Sequence, residues 1–201
     1  MNKIICIARE FASGGSDIGK MVSQKLGIPF YDKEIITQIA KDHGLSEEII
    51  ENYDEKPTNS FLYSLSLGAY SFDGSNANVP NMPLSDKVFA AQSEIIKDVA
   101  DKGPCVIIGR CANYTLKDKQ DVLSVFIHAP TDFKLERLTR IKGLDRDTAM
   151  GELRKTDKKR ATYNNYYSDI NWGDVKSYDL CLNSSIGFDK CADIICSAFN
   201  K

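Results

Sequence analysis

The chain has 201 residues, 27% of them charged, and a formal net charge of −2 at neutral pH. This length fits one domain with a sizeable core, and the nearly balanced charge argues against a polyanion-binding surface, so we expect no nucleic-acid partner. No apolar run is long enough to cross a membrane, and the start of the sequence lacks a signal-peptide pattern. Six cysteines without a C-x-x-C pair or zinc-ligand spacing favour reduced thiols, no metal centre built from protein ligands and a cytoplasmic location.

Short apolar runs alternate with amphipathic segments along the chain, and this pattern predicts an α/β fold. Strands are predicted over residues 3–8, 28–31, 105–108, 122–127 and 179–183. Helices are predicted over 16–26, 33–43, 47–55, a segment near 61–67, 86–101, 133–141, 146–168 and 188–199. The segment 71–83 is rich in Ser, Asn, Gly and Pro and is predicted to form an exposed loop. Functional residues are expected at the carboxyl ends of the parallel strands.

Polar residues before three of these helices are candidate N-caps, because their side-chain oxygens can accept the free N–H groups of a first turn. Asp32 follows the second strand and precedes the helix over 33–43. Thr131 or Asp132 precedes the helix over 133–141, and Asp145 precedes the one over 146–168.

The first strand leads into a glycine-rich turn and then a helix, which is the layout of a phosphate-binding loop. Gly14, Gly19 and Lys20 match the spacing G-x-x-x-x-G-K. Glycines allow backbone N–H groups to approach a phosphate closely, and the helix N-terminus adds the positive end of its dipole. We expect Lys20 in the first turn of the helix, within reach of the terminal phosphates; the alternative is a glycine-rich helix start with a surface lysine. Met21 stands where the pattern has a Mg²⁺-binding Ser or Thr, and its thioether suits that hard cation poorly.

Two basic features accompany this loop. Arg110 ends the third predicted strand, where its guanidinium is either a phosphate ligand or half of an ion pair. Arg154, Asp157 and Arg160 lie three residues apart on a predicted helix and can share one face. That charged run is either a solvated face or a lid that neutralises a transferred phosphoryl group.

Taken in order, these motifs resemble the cytidylate-kinase-like branch of the P-loop nucleoside monophosphate kinases. The resemblance is carried by REFASGG at 9–15, GK at 19–20, LGIPFYDK at 26–33, VIIGRCA at 106–112 and DKKR at 157–160, and it covers almost the whole chain. It implies a three-layer P-loop NTPase fold with a five-stranded parallel sheet of order 2-3-1-4-5. It also implies a single kinase-like domain over residues 1–201, with a helical acceptor-binding insertion over 34–100 and a lid over 141–160.

The resemblance further implies roles for individual residues. The ATP phosphates would be held by Ser13, Gly14, Gly15, Ser16, Asp17, Ile18, Gly19 and Lys20. The acceptor would be bound by Asp32, Arg110, Asp157 and Arg160. The catalytic charges would be those of Lys20, Arg154 and Arg160, with ATP and Mg²⁺ as the cofactors.

These assignments predict a CMP or dCMP kinase, monomeric or homodimeric, whose partners are small nucleotides. Besides Met21, the sequence departs from the family pattern at Cys111, where an Asp follows Gly-Arg, and at Gln92-Ser93, where cytidylate kinases present a basic residue. Met21 motivates one alternative, a non-catalytic nucleotide sensor. Cys111 and Ser93 motivate another, a kinase of a different small metabolite.

Overall fold

Five parallel strands form the centre of the structure, in the order β2-β3-β1-β4-β5. The computed structural model describes residues 4–42 and 83–200. Its strands are β1 (Ile4–Arg9), β2 (Phe30–Tyr31), β3 (Cys105–Ile108), β4 (Val122–His128) and β5 (Leu180–Asn183). β1 lies at the centre because Ile4 is aligned with Cys105 of β3 on one side and with Val122 of β4 on the other. The predicted fold class and strand order are confirmed.

Helices connect these strands. Within residues 4–42 and 83–200 they are α1 (Gly15–Leu26), α2 (Lys33–Asp42), α3 (Leu84–Asp101), α4 (Ala112–Thr115), α5 (Thr131–Lys142), α6 (Arg146–Tyr167) and α7 (Phe188–Phe199). Short 3₁₀ turns cover Val175–Ser177 and Ser184–Ile186. None of the described helices is long and apolar enough to span a bilayer.

Side chains alternate along β1 and supply two separate cores. Ile5 and Ile7 pack with buried residues of α1 and α7 on one face of the sheet. Ile4 and Cys6 pack with buried residues of α2, α3 and α4 on the other face. Helix, sheet and helix therefore form three layers. A third apolar cluster joins α5 to α6, and Phe11 from the loop after β1 packs against it, so both helices meet that loop.

Most predicted boundaries agree with the structure to within two residues. Asp145 is the N-cap of α6 and accepts the N–H groups of Asp147 and Thr148, both at 3.0 Å. The predicted Thr131 or Asp132 cap is wrong, because α5 already begins at Thr131 and Pro130 holds the cap position. The short helix α4 was not predicted. The helices predicted over 47–55 and near 61–67, and nearly all of the loop predicted over 71–83, lie outside the described residues.

Candidate active site

The loop between β1 and α1 is tightly folded. Ala12 and Gly14 both have positive φ, 58° and 81°. The fully buried Ser13 hydroxyl donates to the Glu10 carbonyl at 2.8 Å and closes the turn. A Cβ on Gly14 would lie 2.1 Å from the ring of Phe188. Glycine is required there for both its conformation and its lack of a side chain.

The N-terminus of α1 has the features of an anion site. Gly14 is its N-cap, no side chain caps the helix, and the N–H of Ile18 is bonded to the Gly14 carbonyl at 2.9 Å. The earlier N–H groups of the first turn have no carbonyl partner within the helix, and the dipole adds partial positive charge. A cavity of about 170 Å³, here termed the loop cavity, is lined by Arg9, Glu10, Phe11, Ala12, Gly14, Gly15, Ser16, Asp17, Arg137 and Arg160.

The expected position of Lys20 in the first turn is wrong. Because α1 begins at Gly15, Lys20 is its sixth residue, about 7.5 Å along the helix axis. Its side chain is exposed and does not line the loop cavity. Met21, the next residue, packs against the core that α1 and α7 form with the sheet. It lies too far along the helix to occupy the place of a first-turn metal ligand.

Of the eight residues predicted to hold ATP phosphates, Gly14, Gly15, Ser16 and Asp17 line the loop cavity. Ile18 is fully buried in the core. Gly19 packs against β3, where an added Cβ would lie 2.6 Å from Ile108 Cδ1. Asp17 is ion-paired with Arg137, whose Nη2 lies 2.6 Å from Asp17 Oδ2.

A second cavity of about 30 Å³ lies between the ends of β1 and β3 and the middle of α6. We term it the arginine cavity; it is lined by Cys6, Ile7, Ala8, Arg9, Gly109, Arg110, Cys111, Asn113, Arg160, Tyr163, Asn164 and Trp172. Three guanidinium groups and no carboxylate are found among these described lining residues. Such a set of donors suits an anion, above all a phosphate or carboxylate bound by two N–H groups at once.

The backbone after β3 is shaped to place Arg110 in this cavity. Gly109, Arg110 and Cys111 have consecutive positive φ values of 71°, 57° and 53°. Arg110 is only 3% exposed. The Arg9 guanidinium lies against the same turn, since a Cβ on Gly109 would be 2.1 Å from its Nη1 atom. Two non-glycine residues in the left-handed region represent stored strain of a kind that clusters at functional sites.

Arg9 and Arg160 line both cavities. Arg160 also donates from Nη1 to the Arg9 carbonyl at 3.2 Å. The sequence analysis identified Arg160 but missed Arg9. The signal was available, because Arg9 ends β1 and thus stands at the carboxyl end of a central strand, as Arg110 does on β3.

A buried lysine, also missed from the sequence, connects α5 to the loop. Lys134 is 5% exposed, and its Nζ lies 2.8 Å from Glu10 Oε2 and 3.6 Å from Asp157 Oδ2. The Phe11 N–H donates to the other Asp157 oxygen at 2.6 Å. Burial raises the pKa of the Asp157 carboxyl above its ordinary value, and the contacts with Phe11 and Lys134 oppose part of that rise.

The remaining predicted site residues line neither cavity. Asp32 accepts the N–H of Ile35 at 3.1 Å and caps α2, as predicted. Arg154 is exposed on α6. The binding role of Asp32 and the catalytic roles of Lys20 and Arg154 stay predictions. Among residues 4–42 and 83–200, no group of three His, Cys, Asp or Glu side chains is arranged to hold a metal ion.

Several solved structures similar to this chain are small-molecule kinases in name. An uncharacterized protein from Eubacterium ventriosum superposes with a TM-score of 0.74 at 27% identity, over 100% of this chain and 99% of that one. A shikimate kinase from Bacteroides thetaiotaomicron matches with a TM-score of 0.52 at 15% identity, over 98% of each chain. A gluconokinase from Sinorhizobium meliloti matches with a TM-score of 0.53 at 13% identity, over 99% of this chain and 91% of its own. The last two likenesses establish the P-loop kinase fold alone.

Comparison of sequences identifies the family more specifically than comparison of structures does. A cytidylate kinase from Methanococcus aeolicus is 26% identical over 188 residues, which cover 90% of this chain and 88% of that protein. The model of the cytidylate kinase-like family matches residues 4–186. With these matches over nearly its whole length, the chain belongs to the cytidylate kinase-like family.

Proposed function

We propose that the protein is an ATP-dependent phosphotransferase whose acceptor is a nucleoside monophosphate, CMP or dCMP. The ATP phosphates bind in the loop cavity, and the acceptor phosphate binds in the arginine cavity. The observation that carries the proposal is that Arg9 and Arg160 line both cavities. A phosphoryl group passing from one cavity to the other would stay in contact with the same two guanidinium groups.

On the donor side, the proposal is supported by the uncapped first turn of α1 and by the positive φ of Gly14. The ring of Phe188 packs directly on Gly14, and the Arg137 guanidinium lies 5.0 Å from the centre of that ring. The Arg137 guanidinium, paired with Asp17, therefore lies at the cavity that would receive the phosphates.

On the acceptor side, the three guanidinium groups of the arginine cavity favour a phosphate or another compact anion. Arg110 is fixed at the end of β3 and cannot move far without undoing a buried turn. It would therefore hold the acceptor phosphate at a constant distance from the donor. Such prepositioning can account for a large part of the acceleration of a phosphoryl transfer.

Charge neutralisation supplies the rest of the mechanism. Arg9 and Arg160 would stabilise the charge that spreads over the equatorial oxygens of the transferred group. Mg²⁺ bound with ATP would supply further neutralisation, and the Ser16 hydroxyl of the loop cavity is a hard oxygen donor that suits that ion, whereas the Asp17 carboxylate is already paired with Arg137. Met21 is not required for this role.

A kinase of another small anionic acceptor is the second candidate function. Two observations favour it. Cys111 accepts a hydrogen bond from the Asn164 amide at 3.6 Å where the family pattern has an acid. Ser93 is hydrogen-bonded with Thr115, their hydroxyl oxygens 3.4 Å apart, where a basic residue would be expected. Both substitutions change the groups that an acceptor base or sugar would meet.

The test is ATP consumption with Mg²⁺ and a panel of nucleoside monophosphates, with shikimate and gluconate added as non-nucleotide acceptors. We expect turnover with CMP or dCMP well above the ATPase background. Turnover only with a non-nucleotide acceptor would replace the first candidate by the second. Tight ATP binding in a calorimeter with no transfer to any acceptor would contradict both and favour the nucleotide sensor.

A further inference from the structure

Lys134 of α5 and Asp157 of α6 form a buried ionic cluster with Glu10, which lies in the loop between β1 and α1. A buried ammonium is tolerated only when it is paired and hydrogen-bonded. Lys134 meets this requirement with two carboxylates, at 2.8 Å to Glu10 and 3.6 Å to Asp157. The side chain of Lys134 is 6% exposed, whereas those of Glu10 and Asp157 are 25% and 16% exposed.

Both carboxylates of the cluster also accept a backbone N–H group. Asp157 Oδ1 accepts from Phe11 at 2.6 Å, and Glu10 Oε2 accepts from Ala129 at 3.2 Å. One turn further along α6, Arg160 donates to the carbonyl of Arg9. Three consecutive residues, the last of β1 and the first two of the loop (9–11), are thus each held by a contact with α5 or α6.

Asp157 and Arg160 lie one turn apart on α6 but have different surroundings. Arg160 lines both cavities, whereas Asp157 lines neither. One Asp157 oxygen accepts from the backbone of Phe11 and the other faces Lys134. The two oxygens of Asp157 are thus directed to the loop backbone and to α5. The resemblance to cytidylate kinases implies an acceptor contact at Asp157, but its contacts in this structure are to the loop.

We propose that Lys134, Glu10 and Asp157 are positioning residues that fix the backbone of residues 10 and 11 and thereby the shape of the loop cavity. Asp157 acts on the reaction through the loop, and so on the donor side. The kinetic consequences of this inference rest on the proposed function, whereas its structural consequence, the fixed position of the Phe11 N–H, does not. The same contacts would transmit movements of α5 and α6 to the loop.

The first test compares Asp157→Ala with Asp157→Asn by calorimetry, with ATP and CMP titrated separately. Asp157→Ala removes both contacts, and we expect ATP to bind at least tenfold more weakly while CMP affinity changes less than twofold. Asp157→Asn keeps an oxygen for the Phe11 N–H and loses the charge that faces Lys134, so a smaller, roughly threefold loss is expected. Asp147→Asn, an exposed acid on the same helix, is the control. Weaker CMP binding with unchanged ATP binding would overturn the inference in favour of an acceptor contact.

Amide hydrogen exchange provides a readout that needs no ligand. In Asp157→Ala, the Phe11 amide should exchange at least tenfold faster, while the amides of β1 and β4 keep their protection. Unchanged exchange at Phe11 would overturn the inference even if ATP affinity fell. If the wild-type protein bound no ATP, the proposed function would fail and the Phe11 amide would still decide the inference. If Asp157→Ala does not fold, the Asn variant carries the calorimetric measurement, and an unchanged ATP affinity in that variant would overturn the inference.

Discussion

The two halves of the glycine-rich stretch are held in place by different forces. The backbone of the first half, residues 9–14, is fixed by polar contacts with distant elements, such as those from Phe11 to Asp157 and from Arg160 to Arg9, in addition to the packing of the Phe11 side chain on α5 and α6. The second half, residues 15–21, is fixed by apolar packing, with Ile18 fully buried and Gly19 pressed against Ile108. The loop cavity is lined by the first half and by the first turn of the helix.

The difference between the two halves explains why the match to the P-loop pattern predicted the wrong position for Lys20 in α1. Gly19, Lys20 and Met21 lie in the second turn of α1. Gly19 and Met21 pack towards the sheet. The groups that surround the loop cavity come instead from residues 9–17 and from α5 and α6. Substitutions in the two halves should therefore separate ligand binding from folding.

Arg160→Ala should have the largest effect, because it removes a guanidinium that lines both cavities. We expect kcat with ATP and CMP to fall by about 10²–10³-fold, in the range found when one charge-stabilising donor is removed. Steady-state kinetics measure it, and circular dichroism checks folding. Lys155→Ala, an exposed cation on the same helix, is the control. A fall of less than tenfold would show that the Arg160 guanidinium does not take part in transfer.

The strands and most helices of the described residues could be predicted because they depend on local apolar patterns, whereas the order of the strands came from the resemblance to cytidylate kinases. β3 and β4 are short apolar runs between polar breaks, and α7 was predicted with its observed limits. The site was predicted less well because it depends on where elements meet. Lys134 looks like an ordinary surface residue of an amphipathic helix, and only the packing of α5 on the loop buries it. The first residue of α1 could not be predicted from the sequence either, because Gly14, Gly15 and Ser16 are all compatible with a loop or a first turn.

Gly14→Ala should have the next largest effect, since Gly14 belongs to the half that forms the binding site. Its φ of 81° is unfavourable for alanine, and the added Cβ would lie 2.1 Å from the Phe188 ring. The loop must move, so we expect at least a tenfold loss of ATP affinity in calorimetry. Gly151→Ala places a Cβ where no atom lies within 4 Å and should leave ATP affinity unchanged. An unaltered affinity in Gly14→Ala would mean that the loop cavity is not the donor site.

Gly19→Ala tests the role of packing in the second half of the stretch. The added Cβ would lie 2.6 Å from Ile108 Cδ1 and 3.2 Å from Ile7 Cδ1, so the helix is overpacked against the sheet. We expect the free energy of unfolding to fall by about 1–3 kcal/mol, measured by urea denaturation. ATP affinity of the folded protein should change less than twofold. A large loss of affinity at unchanged stability would contradict the division of the stretch into a binding half and a packing half.

Lys20→Ala should have the smallest effect, although the P-loop pattern predicts the opposite. Lys20 is exposed in the second turn of α1 and does not line the loop cavity. Its charge acts on ATP from outside the cavity and through solvent, where screening weakens it. We therefore expect less than a threefold change in ATP affinity and in kcat, against the much larger effect at Arg160. Loss of turnover in Lys20→Ala would show that its amino group reaches the phosphates when ATP binds. In that case the second half of the stretch would contribute directly to catalysis.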